Sequence, residues 1–494
     1  MSEIPTETEC WERVDEVLQH PWGLLVDGNS VPAISGKTFA VSSPVTETVI
    51  AHVPDAAQED VDRAILAAEL AFPAWSATPA LERARLARCI ADVLEENCEE
   101  LALLDSVDGG APVSLNRLNV KRAATRIHYY AGLVLELKGF STPASENVHF
   151  TTRQPYGVVA RITPFNHPIL FAASRLAVPL IAGNCVVLKP ADATPLSALY
   201  LGYKLRDVLP PGVLSVLVGA GPAVPRAIVR HPKVRRIAFT GSEPTGRSIM
   251  KDAAETGVKK VTLELGGKNA LIAYPDADPE AIAQGAVKGM NFTWSGQSCS
   301  STSRLIIHES VADEVVNRIV EIIEARHIAS PLDPSSEQGT MATKAHYDAV
   351  KAKISDAVED GAKLLTGGDR PAHLSQGLFI APVVLDHVAA DSSIAQNEVF
   401  GPVLSVIRFG DSDDPVAIAN SVTYGLTGSV YTNDIRRAHR VARALECGYV
   451  WINGTSETFP GTPVGGWKSS GIGREGSVEE LLDFTQEKTI NIML

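Results

Sequence analysis

The sequence lacks closely spaced cysteines. Its 494 residues include six cysteines, scattered at positions 10, 89, 98, 185, 299 and 447. None of them has the spacing of a CxxC redox motif or of a metal site, so we expect no bound metal. Isolated thiols in a chain of this length are typical of a reducing compartment and argue against a disulfide framework.

Basic residues are scarce relative to acidic ones. The chain has 44 lysines and arginines against 58 aspartates and glutamates, a formal net charge of −14. That charge disfavours nucleic acid and anionic membranes as partners. Long apolar runs are also missing, because the best one, residues 176–188, is too short for a bilayer and is interrupted by Pro179 and Gly183. The polar, acidic start at residues 1–5 does not match a secretory signal, so we expect a cytoplasmic protein.

The sequence does contain a regular alternation of short apolar runs and helical stretches. One such region extends from residue 157 to about 264, and a second from about 265 to 484. This alternation predicts an α/β protein with parallel sheets covered by helices, and with ligands at the carboxyl ends of the strands. Amphipathic helices are predicted within residues 58–104, and a short hairpin is predicted around residues 24–28. Residues 148–152 are β-prone and predict an exposed sheet edge.

Two turns after apolar runs carry groups suited to a nucleotide. Lys189 and Asp192 follow one run, and Gly241 and Gly246 open a predicted helix after another. A lysine can hold phosphate or ribose oxygens there, and a helix N-terminus favours anionic groups. Each turn alone is also consistent with an ordinary connection between a strand and a helix, but two such turns in one sheet favour a nucleotide site.

Two other glycine patterns are weaker. Residues 471–476 match the dinucleotide fingerprint letter for letter, but no strand precedes them, so we reject that match. Gly219 and Gly221 follow a strand but lack the third glycine of the fingerprint.

Four polar residues occupy positions where they could take part in chemistry. Cys299 lies in a polar loop of small residues, where it is either a nucleophile or a buried small hydrophobe. Asn166, held between two prolines, either donates to an oxyanion or only forms a turn. Glu264, within an apolar run, must be tied into a salt bridge or have a pKa adjusted for proton transfer. Glu398 poses a similar choice.

The motifs around these residues together resemble the aldehyde dehydrogenase family, in the family's order and spacing and over almost the whole chain. They are the Asn166 turn, Lys189-Pro190, Phe239-Thr240-Gly241-Ser242, Glu264-Leu265-Gly266-Gly267-Lys268, Gly296-Gln297-Ser298-Cys299, Glu398-Val399-Phe400-Gly401-Pro402 and Pro463-Val464-Gly465-Gly466-Trp467-Lys468-Ser469-Ser470-Gly471. Any one of these motifs is weak, whereas the complete set is a strong signal.

The resemblance implies a mechanism and a set of site residues. Cys299 attacks the aldehyde carbon, and the Asn166 amide and the Cys299 backbone N–H stabilise the oxyanion. Oxidation with NAD(P) leaves a thioester, which Glu264 hydrolyses by activating water. The cofactor-binding residues implied in this way are Thr163, Pro164, Phe165, Lys189, Asp192, Gly221, Phe239, Thr240, Gly241, Ser242, Gly246, Leu265, Gly266, Glu398 and Phe400. The implied substrate-tunnel residues are His167, Leu170, Ser174, Trp294, Ser298, Ser300 and Phe459.

Three residues depart from the family's usual pattern. Phe165 replaces a common tryptophan and so loses the indole N–H. Asp192 replaces a glutamate, and its carboxylate still suits ribose hydroxyls and repels a 2′-phosphate. We therefore expect NAD as the cofactor, with NADP left possible by the shorter reach. His167 replaces a large hydrophobe, and it either hydrogen-bonds the substrate or packs as a satisfied histidine.

The tunnel residues are mostly apolar, aromatic or small, and no arginine among them is expected to face a substrate carboxylate. This predicts a medium-sized apolar or aromatic aldehyde and disfavours semialdehyde acids. The family fold implies a Rossmann-like cofactor domain at 1–133 and 153–265 and a catalytic domain at 266–479. It also implies a β oligomerisation arm at 134–152 and 480–494, and hence a homodimer or homotetramer.

Two alternatives stay open. A CoA-acylating aldehyde dehydrogenase would transfer the acyl group to CoA, but that branch generally lacks the glutamate that matches Glu264. A structural or binding protein that kept the fold and lost the chemistry is the other alternative. The intact Cys299, Glu264 and Asn166 argue against it.

Overall fold

The computed structural model describes residues 5–494. The strands are β1 Leu24–Val26, β2 Asn29–Val31, β3 Thr38–Ser42, β4 Val49–Pro54, β5 Val148–Pro155, β6 Val158–Ile162, β7 Cys185–Lys189, β8 Leu214–Val216, β9 Val234–Thr240, β10 Lys260–Glu264, β11 Ala270–Ala273, β12 Arg304–His308, β13 Lys363–Thr366, β14 Val383–Asp386, β15 Val403–Phe409, β16 Tyr424–Gly425, β17 Thr427–Tyr431, β18 Tyr449–Ile452, β19 Trp467–Lys468, β20 Gly471–Ile472 and β21 Thr485–Ile492.

The α-helices are α1 Glu7–Leu18, α2 Gln58–Ala77, α3 Ala80–Glu96, α4 Cys98–Gly109, α5 Val113–Gly132, α6 Pro168–Ile181, α7 Leu196–Leu205, α8 Ala223–Arg230, α9 Glu243–Thr256, α10 Pro279–Gly289, α11 Glu309–Glu324, α12 Lys344–Glu359, α13 Ser393–Gln396, α14 Pro415–Asn420, α15 Ile435–Ala444 and α16 Val478–Asp483. Among residues 5–494, no helix combines the length and the apolar character that crossing a membrane requires.

The first sheet has eight strands in the order β2-β1-β8-β7-β6-β9-β10-β20. The five central strands, in the spatial order β8-β7-β6-β9-β10, are parallel. Strands β6 and β7 are buried along their whole length, as strands covered by helices on both faces must be. The predicted hairpin of β1 and β2 is confirmed. Its turn residues Asp27 and Gly28 both have positive φ, as a tight two-residue hairpin turn requires.

The chain order reverses at β6 in this sheet. After β6 the chain adds β7 and β8 on one side, and then β9 and β10 on the other. Such a reversal opens a crevice at the carboxyl ends of the strands, where ligands bind in open α/β sheets.

The second sheet has seven strands in the order β13-β14-β15-β12-β11-β17-β18, all parallel except the β13–β14 pair. Only residues 265–269 separate β10 of the first sheet from β11 of the second. This link therefore brings the carboxyl edge of the first sheet next to the amino edge of the second. The alternation of short apolar runs and helical stretches in two regions of the sequence predicts two parallel sheets, and this prediction is confirmed.

The two segments expected to form a β arm, 134–152 and 480–494, each contribute residues to a separate two-stranded sheet. Strand β21 pairs antiparallel with β5 over eight residue pairs, from Thr485 opposite Pro155 to Ile492 opposite Val148. Strand β20, at Gly471–Ile472, pairs with β10 and therefore belongs to the first sheet, although it is far from the other strands of that sheet in the sequence.

Candidate active site

Asn166 lies where strand β6 gives way to helix α6. The helix starts at Pro168, whose missing N–H costs nothing at a helix N-terminus. The buried Asp105 carboxylate accepts a hydrogen bond from the Ile169 N–H at 2.9 Å, which fixes the start of the helix. The Asn166 Nδ2 donates to the Gln297 carbonyl at 2.8 Å. Asn166 is thus held against the loop that contains Cys299.

The backbone of the Cys299 loop is unusually constrained. Asn291 and Ser295 have left-handed backbone conformations, with φ of 55° and 51°. At Gly296, which has a φ of +66°, an added Cβ would stand 2.1 Å from the Gly401 carbonyl oxygen, so only glycine fits. The Gln297 side chain accepts from the Ala342 N–H at 3.0 Å and donates to the Thr340 carbonyl at 3.1 Å.

Asn269 anchors the same loop from the other side. Its Nδ2 donates to the carbonyls of Cys299, at 2.7 Å, and Ser301, at 2.9 Å. Its Oδ1 accepts from the Thr427 N–H at 3.0 Å. One buried amide therefore joins the cysteine loop to strand β17 of the second sheet.

The Cys299 thiol is held in its protonated form at rest. Burial raises its pKa well above the usual range, and the charges of Glu264, Glu398 and Glu475 raise it further. The Cys299 backbone N–H has no acceptor among residues 5–494. That N–H and the second hydrogen of the Asn166 amide therefore have no acceptor within residues 5–494.

Glu264 ends strand β10 and is buried. Burial and the nearby charge of Glu475 raise the pKa of Glu264 well above its usual range. Its carboxylate makes no hydrogen bond or salt bridge within the described chain, so the salt-bridge alternative from the sequence is wrong. A carboxyl group whose pKa is raised in this way is suited to proton transfer.

A buried ion network lies behind Glu264. Arg175 of helix α6 pairs with Glu475, and Arg161 of strand β6 pairs with Glu480 at 2.6 Å. Burial opposes ionisation of Glu480, but Arg175 and Arg161 hold the pKa of Glu480 down to about 2. The rejected fingerprint match at 471–476 thus contributes an ion pair, and its residues open no helix.

One cavity of about 1200 Å³ joins Cys299 and Glu264. All seven residues that the sequence assigned to the substrate tunnel line it, namely His167, Leu170, Ser174, Trp294, Ser298, Ser300 and Phe459. His167 is buried against the Trp294 ring at a centroid distance of 4.9 Å, and burial lowers its pKa to about 3. His167 is therefore neutral, and its Nδ1 has no partner within residues 5–494.

The expectation that no arginine faces the tunnel is wrong. Arg122, Arg126 and Arg175 all line the same cavity as Cys299. The first two belong to helix α5, which is remote in sequence from every motif of the site. Their position depends on how α5 packs against α6, and the residues around Asn166 carry no signal for it.

A second group of residues lies at the carboxyl ends of strands β6, β7, β9 and β10. Lys189 ends β7 and pairs with the Asp192 carboxylate, which also accepts from the Gly221 N–H at 2.7 Å. Thr163 follows β6, and its buried hydroxyl has no partner within residues 5–494. At Gly221, with φ of +73°, an added Cβ would meet open space within 4 Å, so a ligand can approach its backbone.

Helix α9 starts at the end of β9 without a side-chain cap. Its N-cap Ser242 bonds to the Thr245 hydroxyl at 2.9 Å and leaves the first N–H groups of the helix free. Gly241 lies against the Phe239 ring, and Gly246 lies against Leu265, so a Cβ at either position would clash. Free N–H groups at a helix N-terminus fit a phosphate or pyrophosphate.

Glu398 and Phe400 complete this side of the site. The Glu398 carboxylate accepts from the Gly267 N–H at 2.9 Å, and a Cβ at Gly266 would stand 2.1 Å from it. Burial raises the pKa of Glu398 to about 7. The Phe400 ring packs edge-on against Phe165 at 5.8 Å, next to Pro164 and the end of β6. Open glycines, an uncapped helix N-terminus and carboxylates for ribose hydroxyls together fit a dinucleotide.

Sequence reasoning missed several residues that hold the site. The sequence patterns assign no role to Gln297, which lies within a motif, or to Asn269, which directly follows one, although buried amides must find hydrogen-bond partners. Arg175 interrupts an apolar helix, which is a usable signal for a buried ion pair. Glu475 has no comparable signal, because its neighbours are polar.

Comparison with known proteins identifies the family of the chain. Residues 31–490 match the aldehyde dehydrogenase family. The chain is 40% identical to aldehyde dehydrogenase tropH of Talaromyces stipitatus, over 97% of this chain and 95% of that protein. Among solved structures, it resembles an NAD-dependent aldehyde dehydrogenase from Sinorhizobium meliloti, with TM-score 0.93, 35% identity, and 97% and 96% of the two chains covered. An indole-3-acetaldehyde dehydrogenase solved with NAD+ gives TM-score 0.96 at 33% identity, covering 99% and 100%. The chain belongs to the aldehyde dehydrogenase family and is an NAD(P)-dependent oxidoreductase of aldehydes.

Proposed function

We propose that the protein oxidises an aldehyde to the carboxylic acid through a thioester on Cys299, with NAD as its cofactor. One observation carries the proposal. Cys299, in the loop before β12, and Glu264, at the end of β10, lie far apart in the chain but line the same cavity, and the Asn166 amide is hydrogen-bonded to Gln297 in the Cys299 loop. A nucleophile, oxyanion donors and a base around one cavity suit acyl chemistry.

The first step forms a bond between the Cys299 sulfur and the aldehyde carbon. The thiol proton must leave, because its raised pKa keeps the sulfur protonated. The base that we assign to this step is the Glu264 carboxylate, which lines the same cavity as Cys299 and has no hydrogen-bond or ion-pair partner within residues 5–494. The aldehyde oxygen becomes an oxyanion, which the Asn166 amide and the Cys299 N–H stabilise with hydrogen bonds.

A bound nicotinamide would supply the oxidation as the hydride acceptor. Lys189 and Asp192 would bind the adenosine ribose, and Glu398 would bind the nicotinamide ribose. The Asp192 carboxylate repels a 2′-phosphate, which supports NAD over NADP.

Hydrolysis of the thioester completes the reaction. Glu264 removes a proton from water, the water oxygen bonds to the acyl carbon, and the carbon–sulfur bond breaks. The Cys299 sulfur leaves as a thiol after taking up a proton. A water-activating carboxylate in the cavity supports hydrolysis over transfer to CoA, and it also argues against a silent binding protein.

The primary test compares alanine variants of two cysteines. Cys299→Ala should abolish NAD reduction with a panel of aldehydes, by at least about a thousandfold in kcat. Cys89→Ala, a cysteine of helix α3 outside the cavity, is the matched control and should retain wild-type rates. Equal rates for wild type and Cys299→Ala would remove Cys299 as the nucleophile.

A second test separates the two half-reactions. Glu264→Gln should slow hydrolysis more than acylation, so a pre-steady-state burst of NADH should survive while the steady-state rate falls. Loss of the burst with unchanged deacylation contradicts the role given to Glu264. Formation of acyl-CoA when CoA is added would favour the acylating alternative instead.

We also propose the division into a cofactor domain at 1–133 and 153–265, a catalytic domain at 266–479 and an arm at 134–152 and 480–494. The β5–β21 sheet and its exposed apolar residues Phe140, Met493 and Leu494 support pairing of the arm with a second copy of the chain. A homodimer or homotetramer follows, without nucleic acid or membrane as a partner and in the cytoplasm. Light scattering should give an oligomeric mass for the full chain and a smaller one after truncation at Asp483.

A further inference from the structure

This inference rests on the proposed function and concerns the substrate class. Helix α5 presents one face to the cavity that contains Cys299. Asn119, Arg122, Arg126 and Tyr130 all line that cavity, and their spacing of three, four and four residues puts them on one side of the helix. The two arginines are therefore neighbours on the cavity wall.

These two guanidinium groups have no acidic partner. Within residues 5–494, neither Arg122 nor Arg126 makes a salt bridge or a side-chain hydrogen bond. The other cations of the cavity are all held by protein groups. Arg175 pairs with Glu475, Lys288 pairs with Glu457 at 2.5 Å, and Arg318 pairs with Glu280 at 2.7 Å. Arg326 has no acidic partner but donates to the Glu337 carbonyl and the Thr293 hydroxyl.

The environment of Arg126 makes the absence of a partner costly. Burial, together with the charge of Arg175, lowers the pKa of Arg126 to about 10. Burial lowers the pKa of His167, and the charges of Arg126 and Arg122 lower it further, so both arginines lie near the residue that follows Asn166. A partly desolvated cation without a counterion is unfavourable until a ligand supplies the negative charge.

Part of the cavity wall is apolar and aromatic. Leu170, Phe171, Trp294 and Phe459 line it alongside the two arginines. A substrate body that is apolar or aromatic would contact these side chains. The cavity thus combines an apolar and aromatic patch with two arginines that have no acidic partner, in a chain whose net charge is −14.

We propose that the substrate is an aldehyde with a carboxylate at the end remote from the carbonyl, and that Arg122 and Arg126 bind this carboxylate. The planar fork of a guanidinium matches a carboxylate with two parallel hydrogen bonds. The aldehyde then reaches Cys299 while the acid end stays at helix α5. The proposed substrate keeps the apolar or aromatic body predicted from the sequence and adds a carboxylate to it.

The test compares matched acids and methyl esters as substrates of the full chain with NAD. One pair is 4-formylbenzoate and its methyl ester, and the other is 6-oxohexanoate and its methyl ester. In wild type, kcat/KM for at least one acid should exceed that of its ester by about tenfold or more, mainly through KM, because a charge-assisted bidentate contact is lost in the ester. Arg126→Gln and Arg122→Gln should each reduce this acid-to-ester ratio by about tenfold, and Arg126→Lys should retain part of it.

Arg318→Gln is the matched control, because Arg318 lines the same cavity but already has an acidic partner. Its acid-to-ester ratio should stay at the wild-type value. The inference is overturned if both esters are oxidised as well as their acids, or if Arg126→Gln lowers acid and ester equally. Those outcomes leave the proposed function intact, whereas the absence of NADH with every aldehyde would remove the proposed function itself.

Discussion

Asn269 offers a sharp test of how the second sheet positions the nucleophile. Replacing it with alanine removes its hydrogen bonds to the carbonyls of Cys299 and Ser301 and to the Thr427 N–H. Asn269 is only 3% exposed, so water cannot replace the lost partners easily. At about 1 kcal/mol per bond, Asn269→Ala should lower the free energy of unfolding by about 3 kcal/mol.

The same substitution should reduce catalysis as well as stability. Without its bond to Asn269, the Cys299 carbonyl is free to turn, and it carries the sulfur and the neighbouring N–H with it. A misplacement of about 1 Å costs on the order of a hundredfold in rate, so kcat should fall by about 10- to 100-fold. The assays are urea unfolding followed by fluorescence, and NAD reduction at saturating aldehyde.

Asn184→Ala is the matched control for this prediction. Asn184 is also buried, and it bonds to the Tyr156 and Gly157 N–H groups and to the Pro179 and Phe484 carbonyls. It precedes strand β7 at the end opposite to the cofactor turn, so its loss should destabilise the fold without lowering kcat. An unchanged kcat in Asn269→Ala, or an equal kcat loss in both variants, refutes the reasoning.

Three further changes have expected outcomes. Glu475→Gln removes a charge that raises the pKa of Glu264; since the base acts when deprotonated, the acid limb of the kcat–pH profile should move to lower pH. Asp192→Ser removes the carboxylate that repels a 2′-phosphate, so the ratio of kcat/KM for NADP to that for NAD should rise by about tenfold or more. Glu480→Gln leaves its arginine partners Arg161 and Arg175 undercompensated and should cost about 3–5 kcal/mol in urea unfolding at neutral pH. Because the Glu480 pKa is held at about 2, wild type should keep this contribution above about pH 4.5 and lose it as the pH falls towards 2, whereas Glu480→Gln should lack that loss.

Much of the fold could be predicted because local patterns decide it. Parallel strands buried on both faces need continuous apolar residues, so β6 and β7 stand out as short apolar runs. Turn chemistry at Asp27-Gly28 predicts the first hairpin. Strand β20 escaped prediction, since its two residues carry no period and join the first sheet only through long-range pairing with β10.

The site divides in a similar way. Residues directly after strands, such as Asn166 and Lys189, could be assigned because a strand end fixes where they lie. The arginines of helix α5 could not, because an exposed amphipathic helix presents charged residues in any case. Only the packing of α5 against α6 determines which of those charged side chains are exposed to bulk solvent and which, like Arg126, line the cavity.

The buried charges behind the site argue for a functional reason to keep them. Desolvating Arg175, Glu475 and Glu480 is costly, and apolar residues of similar volume often stabilise a fold as well. Arg175 belongs to the helix that begins just after Asn166, and its partner Glu475 raises the pKa of Glu264. An apolar replacement of the set would preserve packing but would remove the charge that tunes the general base. The same ion pair therefore ties helix α6 to the segment around Glu475 and, under the proposed function, adjusts the proton affinity on which thioester hydrolysis depends.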